Sequence, residues 1–170
     1  MTPPSQAAAR ARSPSFSSVE FRAALGMFAT GVTIVTAATP AGEPVGLTVN
    51  SFNSVSMEPP LVLWSLSRRG ASVPVFMTSE HFAVNVLAAE QRTLAERFAT
   101  RGVDRWAGLC WRAGRGGAPI LAGVAASFEC RVKSRHDEGD HIVFIGEVLH
   151  CAHRVGAVPL LFIGGRFHAL

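Results

Sequence analysis

Gly46-Leu47-Thr48-Val49-Asn50-Ser51-Phe52-Asn53-Ser54-Val55-Ser56-Met57-Glu58-Pro59-Pro60 places small hydroxyl and amide side chains inside an apolar frame. Thr48, Asn50, Ser51, Ser54 and Ser56 alternate with Leu47, Val49, Phe52 and Val55, a pattern that predicts a strand with one polar edge turned toward the inside of the fold. A buried hydroxyl or amide without a partner costs on the order of 1 to 3 kcal/mol, so the row calls for a polar ligand, ordered water or backbone partners. Pro59-Pro60 cannot continue a helix or an interior ladder. The strand is expected to end there, and Leu61 to Leu66 to begin another, apolar enough to be buried on both faces.

Upstream, Ser17 and Glu20 have the spacing of a capping box, so a helix should start there, with Phe21, Leu25 and Phe28 on one face and Gly31 ending it. Val32 to Ala38 is a β-branched run, and Thr39-Pro40-Ala41-Gly42 is the turn that returns it to Gly46. Downstream, Ser67 to Ser72 is a loop carrying Arg68 and Arg69, and Ser72 with Pro74 opens a short helix through Thr78. His81 to Leu87 returns to strand, and Glu90 to Thr100 is a helix with Leu94 and Phe98 inward. Residues 101–119 form a long irregular connection. Val124 to Ser134 and His141 to Ala152 make a hairpin across the polar turn 135–140, and Pro159 to Ile163 is a last strand stopped by Gly164-Gly165. Several strands with hairpin links and few helices predict a mainly β chain, an antiparallel barrel with peripheral helices.

With 170 residues and 48% hydrophobic content the chain suits one domain, expected over 17–170, behind a disordered tail over 1–16 that lacks the apolar region of a secretory signal. The formal charge of +4 comes from scattered arginines rather than a basic patch, which argues against nucleic acid. No apolar run reaches the length of a membrane span. Cys110, Cys130 and Cys151 are odd in number and lack metal-ligand spacing, as expected of a reduced, cytoplasmic protein without a metal site. His150 and His153 fall on opposite faces of a strand. No nucleophile elbow, dinucleotide glycine motif, phosphate loop or zinc-protease motif is present. Any chemistry therefore has to come from a bound cofactor.

The ordered set Ala29-Thr30-Gly31-Val32-Thr33-Ile34-Val35-Thr36, Gly46 to Pro60, Ser79 to Leu87 and Gly139-Asp140-His141 closely resembles the short-chain flavin reductases. These are the small components of two-component flavin-dependent monooxygenases, built on an FMN-binding split β-barrel. The resemblance runs from about Phe21 to Phe167. It implies a homodimer with FMN or FAD in a groove near the subunit interface. NADH or NADPH would be the hydride donor, and a separate monooxygenase would receive the reduced flavin. By position, Thr48, Val49, Asn50 and Ser51, with Ser54 on the same run, would line the flavin. Ser65, Leu66 and Ser67 would lie along it and Ser72 near its phosphate. Phe98 and Arg101 would continue the contacts, and His141 would approach the nicotinamide as a positioning group.

The sequence departs from the family pattern at Trp64-Ser65, where most members have a small apolar residue followed by Cys, and at Gly70-Ala71 in the phosphate loop. Arg68, Arg69 or the amides behind Ser72 are candidates to compensate. Two rivals share the barrel. One is a flavin carrier or electron-transfer protein without reductase turnover. The other is a pyridoxamine-phosphate-oxidase-like enzyme, which should show more basic residues at its phosphate site.

Overall fold

The computed structural model describes residues 15–169. Residues 1–14, most of the segment expected to form a tail, lie outside the described residues, as does Leu170. The elements in order are α1 (Ser18–Gly26), β1 (Thr30–Gly31), β2 (Thr33–Ala38), β3 (Pro44–Val49), β4 (Asn53–Met57), β5 (Pro60–Ser67), α2 (Val73–Thr78), β6 (His81–Val86), α3 (Arg92–Ala99), β7 (Trp111–Ala113), β8 (Pro119–Leu121), β9 (Ala126–Glu138), β10 (His141–His153), β11 (Leu161–Ile163) and β12 (Arg166–His168). None of the described helices is long and apolar enough to cross a membrane.

Seven strands form one antiparallel sheet in the order β3-β2-β6-β9-β10-β5-β4. Its two end strands, β3 and β4, are consecutive in the chain yet share no ladder. The sheet is thus a barrel left open along one seam, a mainly β split barrel, and residues 50–52 cross that seam. The Gly46–Pro60 run is two strands broken at the seam, where a single strand was expected. A small sheet, β1-β11-β12, packs beside it, and β7 pairs with β8.

The barrel interior is aromatic. Trp64 on β5 stacks on Phe144 of β10 with ring centroids 4.7 Å apart and meets Phe76 of α2 edge-on at 4.9 Å. Each such ring, fully buried, contributes roughly 2 to 3 kcal/mol by burial, with a further increment for aromatic geometry. Trp64 is therefore core packing, although its indole Nε1 is buried without a partner among the described residues. A second cluster, including Ile34, Leu87, Ala95, Phe98 and Leu160, fills the space between the sheet and α3.

Asn85 is fully buried. It donates to the carbonyls of Ile34 and Pro119 and to Thr36 Oγ1, and accepts from the Leu121 amide at 2.9 Å. A buried amide with all these partners satisfied pins β8 against β2 and β6.

Several sequence expectations need correction. The capping box at Ser17 and Glu20 forms, but α1 ends at Gly26, and Gly31 lies in β1 without a left-handed φ. Phe21, Leu25 and Phe28 are 51%, 57% and 70% exposed, so the apolar side of α1 does not face this chain's core. Residues of β5 alternate rather than being buried on both faces: Val62, Trp64 and Leu66 point into the barrel, while Leu61, Leu63, Ser65 and Ser67 are half-buried. The β9–β10 hairpin turns on Gly139 (φ 58°) and Asp140 alone, so β9 runs on to Glu138 rather than ending at Ser134, while β10 begins at His141 as expected. Gly164 and Gly165 end β11 as expected, but it is not the last strand: both take left-handed φ and turn the chain back into β12.

Candidate functional site

The seam between β3 and β4 opens into two neighbouring clefts. One, of about 500 Å³, lies between α1 and the seam and includes Arg22, Leu25, Thr30, Asn50, Ser51 and Phe162 in its lining. The other, of about 200 Å³, is bounded by Val32, Thr48, Asn50, Ala99, Phe162 and Phe167. Asn50 and Phe162 belong to both, so the clefts adjoin. Apart from Arg22, none of the described residues lining them carries a charge.

The floor is held from behind. Thr48 Oγ1 donates to the Ala95 carbonyl of α3 at 2.6 Å, and Arg105 spans the carbonyls of Gly46 and Thr100 at 3.0 and 2.9 Å. Gly46 lets Phe98 approach closely, since a Cβ there would lie 2.9 Å from the Phe98 ring. Ser51 Oγ accepts the Ser65 amide at 2.9 Å, extending the β4–β5 contact past the end of the ladder. The polar row is thus split in its duties. Thr48 and Ser51 are satisfied largely within the fold, while Asn50 is exposed to the clefts. Asn53 and Ser54 stand exposed on the edge strand β4, contrary to the buried row expected there.

Of the remaining candidates, Val49, Leu66 and Phe98 are buried in the core, at 6%, 0% and 1% exposure. Ser65 and Ser67 lie on the half-buried face of β5. Ser72 is buried at the start of α2, where its hydroxyl makes no capping bond, and α2 has only six residues. Arg101 is exposed beyond α3. His141 opens β10 directly across from Ser67. Its Nδ1 lies 2.7 Å from Asp140 Oδ1, and this hydrogen bond, followed by the charge of the ring, holds the Asp140 carboxyl below its ordinary range. With Asp140 ionised, Nδ1 is the donor in this contact, which fixes the orientation of the ring.

Arg68 is not available to grip a phosphate. Its amide donates to the Asp140 carbonyl at 3.0 Å, its Nε to the Gly139 carbonyl at 3.3 Å, and its Nη2 pairs with Asp137 at 2.5 Å. It ties the loop after β5 to the turn that carries His141. No group of three His, Cys, Asp or Glu side chains is placed to hold a metal among the described residues.

Arg22, Thr30, Phe162, Gly165 and Phe167 line the clefts but were not singled out as site residues from sequence. They come from both ends of the chain and share no local pattern. The pairing of Thr30 with Phe162 and of Phe162 with Phe167, and the bond from the Gly164 amide to the Gly26 carbonyl, bring them to the seam. The one available signal was that Thr30 falls inside a stretch already matching the flavin reductases.

The donor set suits a flavin. Neutral amides and hydroxyls flank the seam, aromatic rings wall the clefts, and Thr30 Oγ1 is buried without a partner among the described residues. Residues 25–170 match the flavin reductase like domain family, and the chain belongs to that family. An FMN reductase (NADH) of Agrobacterium fabrum is 52% identical over 147 residues, covering 86% of this chain and 83% of that protein. The reductase subunit of a flavin-dependent monooxygenase from Rhodococcus jostii is 42% identical over 147 residues, covering 86% of this chain and 75% of its own. The NADH:FAD oxidoreductase of Streptomyces globisporus, solved with NAD and FAD fragments, superposes with a TM-score of 0.84 at 39% identity, covering 89% of this chain and 92% of that one.

Proposed function

We propose that the protein is an NAD(P)H:flavin oxidoreductase that reduces FMN or FAD and supplies reduced flavin to a partner monooxygenase. The observation that supports this most is the uncharged seam at Asn50 and Ser51, bordered by Thr48 and Phe162. When bound, flavin supplies the hydride-accepting chemistry, so the chain needs no nucleophile of its own. Thr48, Asn50, Ser51, Ser65 and Ser67 would hold it, and their neutral donors would stabilise developing charge without titrating. Val49, Leu66 and Phe98, buried in the core, would back that surface, and Ser54, Ser72 and Arg101 would extend the contacts. His141, oriented by Asp140 and by the Arg68-anchored turn, would position the nicotinamide, a proximity effect rather than proton transfer.

Assembly as a homodimer is supported by the uncovered apolar side of α1 and by the half-buried Leu61, Leu63, Val143 and Ile145 on the outer barrel face. A cytoplasmic setting fits the three free cysteines and a nicotinamide substrate. Steady-state oxidation of NADH and NADPH with FMN, FAD and riboflavin tests the reading. Flavin-dependent turnover with at least one pair is expected, and flavin binding without turnover would favour the carrier.

A further inference from the structure

The two clefts at the seam are uncharged except for one side chain, and that side chain sits on the element least attached to the rest of the molecule. Arg22 lies in the middle of α1, three residues before Leu25, and the two side chains share a face of the helix and the wall of the same cleft. It makes no hydrogen bond or ion pair with any other described residue. Arg105 is held by the Gly46 and Thr100 carbonyls and Arg68 by Asp137 and the Gly139 carbonyl, and neither lines the clefts. α1 buries none of its residues, and its end is tied to the β11–β12 turn by the Gly164 amide donating to the Gly26 carbonyl at 2.8 Å. Gly165 of that turn lines the same cleft.

From this placement we infer that Arg22 is a phosphate-binding residue of the cofactor site, reaching into the cleft from α1 to engage a phosphoester of the bound flavin nucleotide or of the nicotinamide dinucleotide. The inference rests on the flavin reductase reading, in which the anionic groups of both ligands are their phosphates. A guanidinium is matched to such groups because its planar donors meet two phosphate oxygens at once. It would also give α1 a second attachment to the barrel, made through the ligand. The amides before α2 need not serve this purpose, and the basic residues of the Ser67–Ser72 loop that sequence pointed to are not required.

The test compares wild type with Arg22→Gln and Arg22→Lys, at a side chain exposed in the single chain, with the oligomeric state of each variant checked by size-exclusion chromatography to match wild type. Dissociation constants for oxidised FMN and riboflavin are read by quenching of flavin fluorescence, and KM values are read for NADH and for reduced nicotinamide riboside, a phosphate-free donor. Arg22→Gln should weaken one phosphate-bearing ligand about tenfold, the scale of a lost charge-assisted contact in a half-open site, and leave its phosphate-free counterpart unchanged. The pair that responds identifies the phosphate: FMN against riboflavin for the flavin, NADH against the riboside for the donor. Arg22→Lys, which keeps the charge but not the two-pronged contact, should recover only part of the loss. An unchanged FMN dissociation constant together with an unchanged NADH KM overturns the inference, as does equal weakening of phosphate-bearing and phosphate-free ligands. A wild type that binds FMN but does not turn over would fail the reductase reading, while the FMN and riboflavin comparison, with NADH and the riboside then compared by direct binding, would still decide Arg22.

Discussion

Replacing Ser51 by alanine should loosen the seam on which flavin rests. The Ser51 hydroxyl accepts the Ser65 amide at 2.9 Å and directs a weaker contact of 3.4 Å toward the Ser65 carbonyl. It is the side-chain link between the segment crossing the seam and β5, because the β4–β5 ladder ends at Asn53 and Leu63. Alanine leaves the Ser65 amide without this partner in a half-buried position, a cost of about 1 kcal/mol, toward the low end for an unsatisfied amide since water can approach. For a chain of this size that lowers Tm by roughly 2 to 4 °C. Differential scanning calorimetry of Ser51→Ala and Ser54→Ala, with fluorescence titration of FMN into each, separates seam from edge strand. Ser54→Ala, on exposed β4, should stay within about 0.5 kcal/mol of wild type. Ser51→Ala should show the lowered Tm together with weaker FMN binding. Equal behaviour of the two variants would refute the seam-anchoring role of Ser51.

Gly46→Ala would drive a methyl against the Phe98 ring and Thr36 Cγ2 at 2.9 and 3.2 Å, so chemical denaturation should report a loss of about 1 to 3 kcal/mol. Trp64→Phe removes the orphaned indole N–H at the expense of a small void, and should change stability by no more than about 1 kcal/mol, whereas Trp64→Ala should cost about 3 to 5. At Glu129, burial pushes the carboxyl up, but the Arg115 amide and the Arg112 guanidinium outweigh it and hold its pKa below the ordinary value. A depressed folded pKa gives stability that is present above the unfolded value of roughly 4.3 and lost as pH falls through the folded one, so Glu129→Gln should flatten the acid side of the stability profile. Burial, with the charge of Glu129, pushes the Cys130 thiol up to about 12, so a disulfide reagent at neutral pH should label exposed Cys110 and Cys151 rapidly and Cys130 only on unfolding.

Local chemistry was legible in the sequence wherever neighbours along the chain decide the outcome. The Ser17–Glu20 capping box, the Thr39–Gly42 turn, the inward Phe98 and the long β9–β10 hairpin all follow from spacing and residue type. Readings failed where the deciding partner is distant. Periodicity showed that α1 has an apolar side but not that the side faces away from this chain, and composition showed that Leu61 to Leu66 is apolar but not that only one face meets the core. The run at Gly46 announced an unusual polar strand; its break at residues 50–52 is set by the unpaired seam, which no local pattern specifies. Arg22, Thr30 and Phe162 converge because β1 pairs with β11 and the Gly164 amide holds the end of α1, contacts between distant parts of the chain.

The central claim is that this uncharged seam accepts a flavin and brings it to a nicotinamide donor. Anaerobic mixing of the protein with FMN and excess NADH tests it directly, followed by the visible absorbance of oxidised flavin. The account predicts bleaching far faster than in protein-free controls, with colour returning when oxygen is admitted. Persistent colour at full flavin occupancy, with both NADH and NADPH, would contradict it.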